Sequence, residues 1–169
     1  DGMKQQAKAL EAKSGGTVEI VLLIPPEDAQ NMPAKTRAHL KQYEVRHFEV
    51  AWTLPPTLKW WPSDWWPGKG PGWCGPQDLV RLHVLGMTEY DAAAFYDQDV
   101  EFQGDVTDAL LCASTGKFIS ASGGVGEPLN VGFFAVRPDD RFLKAAIQFA
   151  EGITFNRETG WGQAGFLPS

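Results

Sequence analysis

Cysteine is scarce in this chain of 169 residues: Cys74 and Cys112 are its only two, far apart and without zinc-type or paired-thiol spacing. That excludes a disulfide scaffold and a dithiol redox motif, and both thiols are read as free. Basic charge is also short. Lys and Arg number 15 against 21 Asp and Glu, leaving a net charge of −6 and a pI near 5.0. A nucleic-acid binder needs a basic face, and this balance argues against one. No apolar run approaches the roughly 18 residues of a membrane span, so no membrane contact is expected from this segment. The opening "DGMKQQ" lacks the charged-then-apolar pattern of a signal peptide and lacks an initiator Met, so the chain reads as a trimmed or excised domain. No internal repeat is visible. What remains is an ordinary globular composition, 43% hydrophobic and 21% charged, long enough to bury its own core as a single domain over residues 1–169.

Periodicity supplies the elements. Met3, Ala7 and Leu10 recur at helical spacing, and Ser14-Gly15-Gly16 fits a helix stop. "TVEIVLLIPP" (17–26) is β-branched, nearly all apolar, and cut off by two prolines, as a strand buried on both faces would be. A helix is expected after Pro33 over "AKTRAHLKQY", then a strand over "EVRHFEV" with Val45, His47 and Glu49 on one face. Helix, strand, helix, strand argues for an α/β sheet. Further on, "QDLVRLHVLGMTEYD" predicts a largely buried helix with Leu79, Leu82 and Gly86 on one stripe. Arg81 in mid-helix reads as a surface charge, or as a guanidinium whose stem lies along apolar surface. "AAAFY" predicts a strand, "VTDALLCA" a helix opened by Thr107 and Asp108, "KFISA" and "NVGFFAVRP" two more strands, and "GGVGEP" a glycine-rich loop. "RFLKAAIQFA" predicts an amphipathic helix through Phe142, Ala146 and Phe149.

Residues 52–76, "WTLPPTLKWWPSDWWPGKGPGWCGP", break this rhythm. Proline and glycine exclude regular structure, yet six of the seven tryptophans lie here. Loops are usually polar, so an aromatic flap requires a reason. Three readings stay open: a satellite core of packed indoles, a wall facing sugar rings, and a protein-interaction surface.

Asp97 and Asp99 end the "AAAFY" strand with Gln98 between them. Ligands of open α/β sheets collect at the carboxyl ends of strands. Two neighbouring carboxylates repel unless a cation lies between them. A hard divalent ion, Mn²⁺ or Mg²⁺, fits oxygen donors and keeps open positions for phosphate. Haloacid-dehalogenase-type phosphatases also place an Asp after such a strand, but they need Thr or Val where this chain has Glu101.

The surrounding order of motifs is more specific than the pair. "RLHVLGMTEYDAAAFYDQDVEFQGDVTDAL", then "PLNVGFFAVRP" with Asn130 and Gly132, then "GWGQAGFLP" with Gln163, closely resembles the glycogenin-like glycosyltransferases of family 8 over most of the chain. The resemblance implies a GT-A-like nucleotide-diphospho-sugar transferase sandwich, α/β, with a central mixed, mostly parallel sheet. It implies transfer of a sugar from a nucleotide-sugar donor, a UDP-sugar foremost, to a carbohydrate or protein acceptor with retention of configuration. Asp97 and Asp99 would then hold Mn²⁺ or Mg²⁺. Arg81, Gln98 and Asn130 would join the two aspartates at the donor, Asn130 and Gln163 would lie at the reacting centre, and Trp66 and Trp73 would be acceptor platforms. Members of the family occur in the cytosol and in secretory compartments, so the resemblance does not choose a location.

Three departures accompany it. The acidic residue before Gln163 is here Gly162, which is no nucleophile, so the expected route is a front-face reaction without a glycosyl-enzyme. The family's first strand would precede residue 1. The family's C-terminal metal-binding His has no counterpart, since His39, His47 and His83 all lie too early. Either a chain trimmed at both ends or a degenerate domain would show these, and the alternative expectation is a catalytically inactive GT-A-like module that binds carbohydrate or protein.

Overall fold

A computed structural model describes residues 2–49, 76–97, 100–122 and 129–152. The tryptophan-rich flap with Trp66 and Trp73, Cys74, Gln98, Asp99, the 123–128 loop, Gly162 and Gln163 lie outside the described residues.

The chain opens with helix α1 (Gly2–Ser14). It stops where the sequence says: Gly15 has φ +68, a left-handed conformation that glycine adopts without a Cβ clash, and its N–H donates to the Glu11 carbonyl. Strand β1 (Ile20–Ile24) follows. The two prolines after it open an unforeseen short helix, α2 (Pro26–Gln30), with Pro26 in its first turn, where a missing N–H costs nothing. Helix α3 (Ala34–Gln42) leads into β2 (Val45–Glu49), which pairs parallel to β1 with Ile20 opposite Val45. Arg37 satisfies carbonyls at the end of α2 and just beyond it, donating to those of Ala29, Gln30 and Met32.

A 3₁₀ helix (Pro76–Gly86) then delivers the chain to β3 (Ala93–Tyr96). Helix α4 (Thr107–Ser114), β4 (Ile119–Ser122), β5 (Leu129–Val136) and α5 (Asp140–Gly152) complete the order. Strand β5 runs antiparallel between β3 and β4. The architecture is therefore mixed α/β. The described strands do not form one mostly parallel sheet as expected: they make a parallel pair and an antiparallel triplet. The difference has a physical origin. Strands β3 and β4 run in the same direction and are joined through α4, but β5 inserts between them in the opposite sense, so neither of its pairings is parallel.

Val84, Met87, Phe134 and Val136 form the buried core, where the 3₁₀ helix meets β5. Phe134 stacks between Phe95 at 5.6 Å and Phe118 at 5.7 Å. Strand β1 was expected to be buried on both faces, but all five of its residues are only half-buried. Helix α5 corrects another expectation. Phe142 is 61% and Phe149 48% exposed, and the helix instead seats Leu143 against Gly86, whose Cβ position lies 2.6 Å from Leu143 Cδ2. Helix α4 begins at Thr107 as read, but neither Thr107 nor Asp108 caps it. The acceptor is Asp105, whose Oδ1 takes the Thr107 N–H at 2.9 Å. Thr107 itself is fully buried. Lys13 of α1 bridges Asp105 at 2.8 Å and Asp108 at 3.2 Å, fastening α1 to the start of α4.

Candidate functional site at the end of strand β3

Three of the residues singled out in the sequence lie in described parts of the chain, Arg81, Asp97 and Asn130, and the fold brings them together. Asp97 directly follows β3, and its N–H donates to the Gly132 carbonyl at 2.8 Å, which carries the β3–β5 ladder one step further. Its carboxylate is thus fixed at the carboxyl end of the strand, where ligands of α/β proteins collect. The side chain keeps 35% exposure.

Arg81 meets Asp97 from the 3₁₀ helix. Its Nη2 is 3.5 Å from Asp97 Oδ1, its Nη1 donates to the Val131 carbonyl at 3.0 Å, and its guanidinium lies 5.1 Å from the centre of the Phe95 ring. The residue is only 6% exposed, so neither the surface charge nor the snorkelling stem expected from sequence describes it. Arg81 is buried together with Leu82, Val84 and Met87, where the 3₁₀ helix and the residue after it pack into the core. A planar guanidinium can serve a carbonyl, a carboxylate and a ring face together, whereas an ammonium is a single point charge.

Asn130 and Gly132 border the same carboxylate. Asn130 Oδ1 accepts the Gly132 N–H at 2.8 Å, which leaves the Nδ2 amide as the side chain's donor. A Cβ at Gly132 would stand 3.0 Å from both Asn130 Oδ1 and Asp97 Oδ2. Gly132 is therefore the residue that lets β5 approach Asp97 closely. The β4–β5 register also shifts between Ser120 and Ala121, opposite this stretch of β5. Such irregularities re-aim side chains near functional sites. The sequence reading noted Gly132 only as part of a motif; the signal for its role is the Asn-x-Gly spacing just before the aromatic run of β5.

Among the described residues no group of three or more His, Cys, Asp or Glu side chains could hold a metal ion. The described oxygen donors at the site are the Asp97 carboxylate and the Asn130 carboxamide, which are hard ligands of the kind Mg²⁺ and Mn²⁺ accept. Below them Tyr96 is packed between Phe102 at 5.0 Å and Phe133 at 5.1 Å, and burial pushes its phenol up to about 12. The phenol stays neutral within this aromatic packing. Cys112 is exposed with a free thiol, as read, and is not part of this cluster. No helix among the described residues is long and apolar enough to cross a membrane. No protein-family model matches the chain, and a search of curated proteins returns no match.

Proposed function

We propose that this chain is a metal-dependent glycosyltransferase domain of GT-A type, which transfers a sugar from a nucleotide-diphosphate donor, a UDP-sugar foremost, with retention of configuration. The observation that carries the reading is the Asp97 carboxylate at the end of β3, held by buried Arg81 and bordered by Gly132 and Asn130. Asp97, with Asp99 two residues on, would hold Mn²⁺ or Mg²⁺. When bound, such an ion offsets the charge of the departing diphosphate and acts as a Lewis acid.

This chain's residues do the rest. Arg81 aims the Asp97 carboxylate by an ion pair at 3.5 Å, in a poorly solvated setting where charges interact more strongly than in water. It acts on the donor through Asp97, since its side chain is only 7% exposed. Gly132 adds no Cβ against Oδ2, where one would stand at 3.0 Å. Asn130 offers Nδ2 to a sugar hydroxyl, because its carbonyl oxygen is already occupied by Gly132. The family resemblance would put Gln163 by the anomeric carbon. With Gly162 unable to form a covalent intermediate, the acceptor hydroxyl attacks from the side on which UDP leaves, and its proton passes to the departing phosphate oxygen.

One observation favours a second reading. A buried arginine already balances Asp97, so the pair also works as a brace in a non-catalytic GT-A-like module whose tryptophan flap binds carbohydrate or protein. Titration calorimetry with UDP separates the two. The enzyme reading expects UDP affinity that needs MnCl₂ and is lost with EDTA. UDP affinity indifferent to Mn²⁺, or none, leaves the module.

A further inference from the structure

Helix α1 turns one stripe toward the segment that follows Asp97. At 3.6 residues per turn, Gly2, Gln6 and Lys13 fall within about 40° of one another. Each meets a different part of residues 102–108. Gly2 lies against Phe102, where a Cβ would stand 3.1 Å from Cδ2. Gln6 Nε2 donates to the Gly104 carbonyl at 2.7 Å, and its Oε1 accepts the Val106 N–H at 3.1 Å. Lys13 bridges Asp105 and Asp108.

The Gln6 contact differs in kind from the other two. Residues 100–106 belong to no helix or strand, so their backbone groups need partners from elsewhere in the chain. A carboxamide carries a donor and an acceptor in one plane, as a peptide unit does. Gln6 therefore serves the Gly104 carbonyl and the Val106 N–H together, as a residue of a neighbouring strand would. The near end of the same segment is folded onto Asp97. The Val100 N–H donates to the Asp97 carbonyl at 3.1 Å. Phe102 packs on Tyr96, the residue before Asp97, with ring centres 5.0 Å apart. Residues 100–106 are thus pinned to Asp97 at one end and to α1 at the other.

We propose that Gln6 is a positioning residue for the carboxylate site. By holding Gly104 and Val106 it keeps residues 100–106 folded against Asp97, and so sets the metal-dependent affinity for a nucleoside diphosphate without touching metal or nucleotide. This rests on the nucleotide-sugar reading of the site and adds to it a residue of α1 that acts through the backbone.

Gln6→Met decides it, because methionine keeps the length and the apolar stem but makes neither hydrogen bond. Titration calorimetry with UDP in MnCl₂ is run on the wild type, on Gln6→Met and on Lys13→Met, with amide hydrogen exchange on the same proteins without ligand. The expected result is an Mn²⁺-dependent UDP affinity lowered roughly tenfold in Gln6→Met, the scale of losing a group that orients a ligand. Lys13→Met should lower it by less than about twofold, since an exposed ion pair contributes little. Without its acceptor, the Val106 amide should exchange roughly tenfold faster in Gln6→Met, while the β3 and β5 amides keep wild-type protection. Unchanged UDP affinity beside a fast Val106 amide overturns the proposal and leaves Gln6 a structural tie. An unchanged Val106 amide also overturns it, because the hydrogen bond would then be absent. So does an equal loss of affinity in Lys13→Met, which would credit the docking of α1 as a whole, and so does lost protection of β3 and β5 in Gln6→Met, which would assign Gln6 to the fold. Failure of the nucleotide-sugar reading looks different: the wild type itself then shows no Mn²⁺-dependent UDP affinity, and the role of Gln6 falls with it.

Discussion

Arg81 and Gly132 constrain Asp97 differently. Arg81 Nη2 lies 3.5 Å from Oδ1, while a Cβ at position 132 would crowd Oδ2 at 3.0 Å. Two substitutions should therefore separate stability from ligand binding. Asp97→Asn removes the charge that balances a buried guanidinium, so we expect a loss of about 1–2 kcal/mol in urea unfolding as well as loss of Mn²⁺-dependent UDP binding. Gly132→Ala puts a methyl group against two side-chain oxygens that can yield by a few tenths of an ångström. It should cost under about 1 kcal/mol while weakening metal-dependent binding at least tenfold by calorimetry. Equal effects of Gly132→Ala on stability and binding would show that the close approach only serves packing.

At the scale of elements, α5 rests on the 3₁₀ helix through Leu143 and Gly86. The contact also positions Arg81, because the same 3₁₀ helix carries it five residues earlier in the chain. Gly86→Ala would bring a methyl within 2.6 Å of Leu143 Cδ2, so the leucine must change rotamer or α5 must shift. The expected cost is about 1–3 kcal/mol, as for overpacking elsewhere. Adding Leu143→Ala should relieve part of that clash, so the double mutant's loss should be smaller than the sum of the single losses. Simple additivity in denaturant unfolding would mean that the two residues do not meet. Phe142 and Phe149 give the contrast: both are exposed, and Phe142→Ser should change stability by no more than about 0.5 kcal/mol.

The whole molecule responds to acid in two steps with opposite kinds of group. Partial burial pushes the His83 imidazole below its ordinary 6.5. The unfolded chain therefore takes up that proton first, and stability that is complete above pH 6.5 is lost as pH falls toward the folded value. Further down, the Arg141 side chain holds Asp139 at about 2, and Lys13 with the Thr107 N–H holds Asp105 well below the carboxylate range. Their contribution is complete above pH 3.8 and disappears as pH falls through about 2 for Asp139. Thermal melts should therefore drop once below pH 6.5 and again below about pH 4. His83→Gln should abolish the first drop and leave the second. A first drop that survives in that variant would assign it to another group.

Much of this was legible in the chain itself. Where an element begins and ends is local chemistry: Gly15 stops α1 because a left-handed residue is needed there, and the apolar run before Asp97 makes a strand that ends in a carboxylate. Those choices rest on neighbours a few residues away, and the sequence determined them. It did not determine that β5 would run antiparallel beside β3, that Leu143 in place of Phe142 would dock α5, or that Arg81 would be buried against Asp97. Each depends on contacts between distant segments. A helix wound at three residues per turn presents a different row of side chains from one wound at 3.6, and the elements it packs against, α5 and β3 among them, lie elsewhere in the chain. The chain supplied the carboxylate; the tertiary structure supplied the arginine and the glycine that give it a direction.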